Sequence, residues 1–246
     1  MRSNSKKIIQ NTPKYLWFLI LSYSMVIAMS NWFDARLVEI FGMAISPGTL
    51  IFPITFLLSD MITEVYGYKH ARRAIWSAFL FNIIFICYGQ LLTHLPSPSF
   101  SKDNVLFNRL LSINIFIIFG SFTSYIVSEP INSYILAKLK QKYRGKYIAI
   151  RFVLSTIISS FLDSLIFASI AFFRIYSAHD IIKIIIDIWL TKTVIEIIGL
   201  PFSIRLAKFL KKSERLDIYD YGTNFTPLSF EANYSTNNNK YKNGDL

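Results

Sequence analysis

Apolar residues run along this chain in long blocks, with lysine and arginine confined to the short stretches between them. A block of about 20 apolar residues is the length a helix needs to cross a bilayer. The pattern predicts six crossing helices: about Tyr15–Phe33; Thr49–Tyr66, after a break at Pro47-Gly48; Ala74–Leu95; Leu110–Leu136, with a kink expected at Pro130; Phe152–Phe173; and Ile181–Leu200, followed by Pro201 and a helical extension. Leu37–Ile45 is too short to cross and is expected to be re-entrant or interfacial. The predicted fold class is therefore all-α, a polytopic membrane protein with six transmembrane helices in residues 15–212. A short N-terminal segment, 1–14, precedes them and a tail, 213–246, follows. From about Asn224 the tail is polar, with Asn237-Asn238-Asn239, and this composition predicts partial disorder and no soluble catalytic module.

Composition strengthens this picture. The chain is 53% hydrophobic and only 17% charged, against roughly 45–50% and about 25% in soluble domains, so no aqueous domain of useful size remains. The net charge of +11 does not imply nucleic acid, because the basic residues sit between apolar blocks, as in cytoplasmic loops of membrane proteins. Arg2, Lys6, Lys7 and Lys14 precede the first span. Lys69, Arg72 and Arg73 follow the second, Lys138 through Arg151 follow the fourth, and Arg205 through Arg215 follow the sixth. The alternate loops hold only Arg36, Lys102, Arg109, Arg174 and Lys183. The positive-inside rule then places both termini in the cytoplasm. Ala28-Met29-Ser30 loosely fits a signal cleavage site, but the apolar run is longer than a signal peptide's, and the first span is expected to be retained. The one cysteine, Cys87, lies inside an apolar block and allows no intramolecular disulfide.

Charged groups at membrane depth are costly, about 2.5–3.5 kcal/mol each on insertion scales, so they face a bundle interior or a cavity. The second span carries Asp60 and Glu64 at i, i+4, hence on one face. Glu64 lies nearer the cytoplasmic boundary, where it either recognises a ligand or pairs with Arg72 or Arg73. The fourth span carries a stripe of Asn114, Ser121, Ser124, Ser128 and Asn132, with Glu129 beside it; the serines suit close helix packing. In the fifth, Ser155, Ser159 and Asp163 recur every four residues, and Asp163 sits near mid-span. The sixth has Asp187, Lys192 and Glu196. Lys192 and Glu196 either neutralise one another as an i, i+4 pair, or Lys192 reaches Asp163 and leaves Glu196 for a ligand. The three histidines are isolated, and no HExxH, GxSxG, GxxxxGK[ST] or CxxC motif is present. Nothing argues for an enzyme, a metal or a cofactor. Several interior carboxylates in a bundle argue for a solute pathway.

The segment SPGTLIFPITFLLSDMITEVYGYKHARRAIW, 46–76, resembles the queuosine precursor transporter family of bacterial inner membranes. SFTSYIVSEPINSYILAKLK at 121–140, STIISSFLDSLIFASIAFF at 155–173, KTVIEIIGLPF at 192–202 and DIYDYGTNFTP at 217–227 agree with it. The resemblance covers about residues 15–230. It implies six helices, similar to the substrate-binding components of vitamin transporters, and import of 7-deazaguanine precursors or queuine for tRNA queuosine. It also implies that Asp60, Glu64, Asp163, Lys192 and Glu196 are polar positions of the family motifs. The chain departs from that pattern at Glu129 and Ser160, where glutamine is common, and at Asn132, where aspartate is. A 7-deazaguanine presents N1–H and an exocyclic amine along one edge, which a carboxylate accepts together, and aromatic rings can stack on the base. The expected partners are this small molecule and the lipid bilayer, with no direct nucleic acid; association with further copies of the chain stays open. Two other readings stay open as well: a vitamin-type binding component that needs a separate energising module, and a non-transporting scaffold.

Overall fold

The computed structural model describes residues 13–33, 38–40, 43–111, 115–229 and 231–241. Its elements are α1 (Leu16–Phe33), a hairpin of β1 (Val38–Ile40) and β2 (Met43–Ile45), α2 (Pro47–Ile51), α3 (Pro53–Tyr66), α4 (Tyr68–Thr93), α5 (Asn104–Leu111), α6 (Ile115–Lys142), α7 (Ile148–Phe172) and α8 (Ala178–Glu214). The protein is an all-α polytopic membrane protein. Four helical segments are long and apolar enough to cross a bilayer: α1, α2 with α3, α4 and α7; α5 with α6 makes a fifth if the bent pair is one span. α8 carries Asp187, Lys192 and Glu196 within its apolar stretch, which sets it apart from the others.

The stretch expected to be re-entrant or interfacial forms an antiparallel hairpin with Val38 opposite Ile45 and Ile40 opposite Met43. Leu37, Phe41 and Gly42 lie outside the described residues, as do Arg2, Lys6, Lys7, Arg36 and Asn114. Ser46 caps α2, its hydroxyl accepting from Gly48 N at 3.0 Å and Thr49 N at 3.4 Å, with Pro47 at the first helical position, where its missing N–H is no loss. Pro53 restarts the helix after Phe52 as α3. α6 and α8 both continue through an internal proline, Pro130 and Pro201.

α3 is the axis of the bundle. From Thr55 to Tyr66 every residue is buried, as expected for a helix surrounded by protein on all sides. The outer helices instead turn one apolar face outward: Trp17, Phe18, Leu21 and Met25 on α1, Leu80, Phe81 and Ile84 on α4, Leu190, Val194 and Ile197 on α8. The apolar core joins α1, α3, α4 and α8 through Leu19, Ile27, Met61, Ile62, Ile75 and Leu210, and takes in Leu216, Ile218 and Tyr234 of the tail. α6 and α7 pack through small residues. A side chain at Gly120 would meet the Phe167 carbonyl at 3.1 Å, and Ser155 and Ser159 turn their hydroxyls onto their own helix's carbonyls at 2.9 Å, in keeping with packing rather than ligand contact.

Beyond Asn224 the described part of the tail is held against α4 by hydrogen bonds, and the expectation for its end falls on residues outside the described ones. Arg72 donates to the carbonyls of Asn224 (3.1 Å), Thr226 (2.8 Å) and Glu231 (2.8 Å). Trp76 donates to the Pro227 carbonyl at 2.7 Å, Tyr68 to the Phe225 carbonyl at 3.1 Å, and Lys69 pairs with Glu231 at 2.5 Å. Ile218 N reaches the Val65 carbonyl at 3.2 Å. The reason is that backbone carbonyls, which any sequence has, meet side chains of α4; residues 242–246 lie outside the described residues.

Candidate functional site

Four helices repeat the same order of polar groups along the bundle. On α3 the sequence is Thr55, Ser59 and Asp60, then Glu64; Thr55 and Glu64 are about 13 Å apart at 1.5 Å per residue. α6 offers Ser121 to Tyr125, then Ser128 to Asn132, then Lys140. α7, running the other way, offers Asp163 and Phe167, then Thr156 and Ser159, then Arg151. α8 offers Ile188 and Lys192, then Glu196, then Lys211. Matching heights produce three layers.

The first layer is a cavity at the end of the bundle away from the tail. Asn31, Thr49, Phe52, Asn82, Ser124, Tyr125, Asp163, Phe167 and Lys192 are among its lining residues. Asn31 donates to Asn82 at 2.9 Å, and Lys192 Nζ lies 4.5 Å from the centre of the Phe52 ring. Lys192 and Asp163 pair directly, and Ser128 donates to the other Asp163 oxygen at 3.3 Å. Of the two pairings open to Lys192 from the sequence, the structure holds the one with Asp163.

The second layer is acidic. Asp60 and Glu129 are fully buried and Glu196 is 1% exposed. Asn132 Nδ2 donates to Asp60 Oδ1 at 2.7 Å, and Ser159 donates to Asn132 Oδ1 at 3.0 Å. The Thr55 hydroxyl lies 2.7 Å from the Phe52 carbonyl and 3.1 Å from Glu129 Oε1. Asp60 Oδ2, Glu129 Oε2 and both oxygens of Glu196 lack a hydrogen-bond partner at full hydrogen-bond geometry, as does the buried Thr156 hydroxyl; Thr156 is the hydrogen-bonding side chain nearest to hand for Glu196. Tyr23 of α1 likewise stands against Glu129.

The third layer is an ion hub at the tail end. Glu64 is fully buried. It does not pair with Arg72 or Arg73. Arg151 grips it as a two-pronged fork, Nη1 to Oε2 at 2.5 Å and Nη2 to Oε1 at 2.9 Å, and Lys211 adds a third contact at 2.6 Å. Asp217 of the tail pairs with both Lys140 and Lys211 at 2.7 Å, and Lys140 also donates to the backbone carbonyl of Glu64 and to that of Ile218 at 2.7 Å. Sequence reasoning missed Arg151, Lys140, Lys211 and Asp217, reading the cations only as loop charges. The turn at Gly67, with φ +85°, carries Arg72 away from Glu64 toward the tail. Farther along the tail, Asp220 accepts from Tyr234 and from Tyr68 N at 3.1 Å; burial pushes its carboxyl up, and these donors pull it back.

Glu64 is thus set apart from Asp60, its neighbour one turn away. The hub satisfies every carboxylate oxygen of Glu64 with cations, whereas Asp60, Glu129 and Glu196 keep open acceptors, and Asp163 and Lys192 reach the cavity. Among the described residues no three His, Cys, Asp or Glu side chains converge as a metal site.

The family described as Putative vitamin uptake transporter matches residues 46–206. The chain is 28% identical over 185 residues to a protein of Bacillus subtilis (strain 168) named "Probable queuosine precursor transporter", covering 73% of this chain and 79% of that protein. It is 27% identical over 173 residues to the "Queuosine precursor transporter" of Escherichia coli (strain K12), covering 68% and 74%. No solved structure matches the chain.

Proposed function

Because the chain belongs to the vitamin uptake transporter family, whose match spans residues 46–206, we propose that it imports queuosine precursors across the bacterial inner membrane. These are 7-deazaguanines such as 7-cyano-7-deazaguanine, 7-aminomethyl-7-deazaguanine or queuine. The observation that carries this reading is the cavity floored by Asp163 and Lys192 with an unpartnered Glu196 one turn deeper, in a chain alignable to two proteins named for this transport.

The roles follow from the donors and acceptors. A 7-deazaguanine enters from the cavity side and lies against Phe52 and Phe167, whose rings offer stacking faces. Glu196, with both oxygens open, accepts N1–H and the exocyclic amine together. Lys192 and Asp163 meet the opposite edge, and Asp163 meets the amine of an aminomethyl precursor. Asp60 and Glu129 form the wall beneath. Glu64 holds the hub together and touches no substrate. The basic loops place the tail end, and with it both termini, in the cytoplasm, and the cavity opens to the outside; the six predicted crossings fit that arrangement.

The test is precursor-dependent queuosine formation. The chain is expressed in a host lacking de novo synthesis and its own importer, precursors are fed singly at nanomolar levels, and tRNA is assayed for queuosine. Queuosine is expected with at least one precursor and is lost with Asp163→Asn at unchanged membrane levels. Queuosine at the level of the empty host for all three refutes the import reading.

A further inference from the structure

Asp60, Glu129 and Glu196 present an electrostatic problem that their surroundings do not solve. All three are within reach of one another's charge. Asp60 lies in the field of Glu196, Glu129 and Glu64, Glu196 in that of Glu129, and Glu129 in that of Asp163. The groups that face them are Tyr23 of α1, Thr55 and Ser59 of α3, Tyr125 and Asn132 of α6, and Thr156 and Asp163 of α7. Lys192, one turn from Glu196 on α8, is held by Asp163, and the hub cations are held by Glu64 and Asp217. Three buried, mutually repelling carboxylates without a counter-charge do not all ionise.

Hydrogen-bond geometry points to the same conclusion independently. The Thr55 hydroxyl has a single hydrogen and two acceptors, the Phe52 carbonyl at 2.7 Å and Glu129 Oε1 at 3.1 Å. With the hydrogen on the shorter contact, Glu129 Oε1 is left with at most a shared donor. The unpartnered oxygens of Asp60 and Glu129, both fully buried, mark where further protons fit. No side chains converge there as a metal cage among the described residues, which favours a proton over a metal ion.

We propose that Asp60 and Glu129 are a proton-binding site that couples substrate import to inward proton flow. This rests on the import reading. The coupling has a definite sign. Glu196 must be ionised to accept two N–H donors, and its ionisation is easiest when Asp60 and Glu129 are neutral. Protonation of the pair therefore favours substrate at Glu196, and by linkage substrate favours the protons. One carboxylate takes a proton from the outer solution through the cavity and yields it to the cytoplasm. The repulsion restored by that loss weakens ionised Glu196 and releases the substrate.

Two measurements test this. In purified full-length protein at pH 7, infrared spectroscopy is expected to find the carbonyl stretch of a protonated carboxyl, diminished in Glu129→Gln and in Asp60→Asn. In vesicles with clamped potential, labelled 7-cyano-7-deazaguanine, an uncharged probe, is expected to accumulate about tenfold per unit of inside-alkaline pH gradient for one proton per substrate. Glu129→Gln should lose that accumulation. Equal distribution across the gradient while exchange proceeds at equal pH overturns the coupling and leaves import standing, as does accumulation driven by a sodium gradient instead. Absence of exchange for all three precursors removes the import reading and the coupling with it, while the infrared band decides the proton site separately. A wild-type spectrum without a protonated carboxyl at pH 7 overturns that site.

Discussion

Glu64 and Glu196 are both buried glutamates in the bundle interior, yet their substitution is expected to read out in opposite ways. Glu64→Gln leaves Arg151 without its counter-charge and Lys211 with Asp217 alone, and breaking such a buried pair costs about 3–5 kcal/mol. The expected result is a clearly lowered melting temperature in detergent and reduced membrane levels, while Arg73→Ala, remote from the hub, changes neither. Glu196→Gln breaks no ion pair, since Glu196 has none among the described residues. It should leave melting unchanged or raise it, and weaken precursor binding by about 10–100-fold, or 1.4–2.8 kcal/mol, because an amide cannot accept two donors with both of its ends. Calorimetric binding beside a melting curve separates the two cases. The acids were legible from the sequence because each interrupts an apolar run. Their partners were not. Arg151 is 87 residues from Glu64 and stands at the edge of an apolar block, where a basic residue looks like a loop charge.

At the level of elements, α3 shows what periodicity conveys and what it hides. The i, i+4 spacing correctly puts Asp60 and Glu64 on one face. It does not say that α3 is enclosed on every side, since an apolar block reads the same facing lipid or protein. The α3–α4 turn explains the mistaken expectation for Arg72. Proximity along the chain suggested a pair with Glu64, but Gly67 at φ +85° and ψ 168° redirects the helix. A Cβ there would stand 2.5 Å from the Tyr234 hydroxyl and 2.8 Å from Ile218. Gly67→Ala is therefore expected to cost about 1–3 kcal/mol from backbone strain alone and to loosen the tail as well. Limited proteolysis should cut the variant between Asn224 and Tyr241 under conditions that spare the wild type; equal resistance would show that the turn adapts. The hairpin at 38–45 was legible only as a segment too short to cross, because a few residues carry no usable period.

The bundle is a stack of three layers, a cavity, an acidic layer and an ion hub; α6, α7 and α8 contribute to all three, and α3 to the last two. The basic loops predict which end faces the cytoplasm. A reporter fused after Lys212 should be active only in its cytoplasmic form, and a periplasmic signal there would invert the assignment of the cavity. The all-α, multi-pass plan was legible, since apolar blocks determine it; four of the helical segments, or five with the bent pair, are long and apolar enough to cross. The closing of the hub by the tail was not, because its attachments are backbone carbonyls and one aspartate in a polar stretch. That attachment bears on biogenesis. Asp217 and Ile218 follow α6 and α8 in the chain, so Lys140 and Lys211 are synthesised before their tail partners. A chain ending at Arg215 should insert into the membrane at normal yield but stay accessible to proteases at its hub, as followed by pulse-chase labelling. Closing of this face thus has to follow synthesis of α8, and the chain order alone separates an open hub from a closed one.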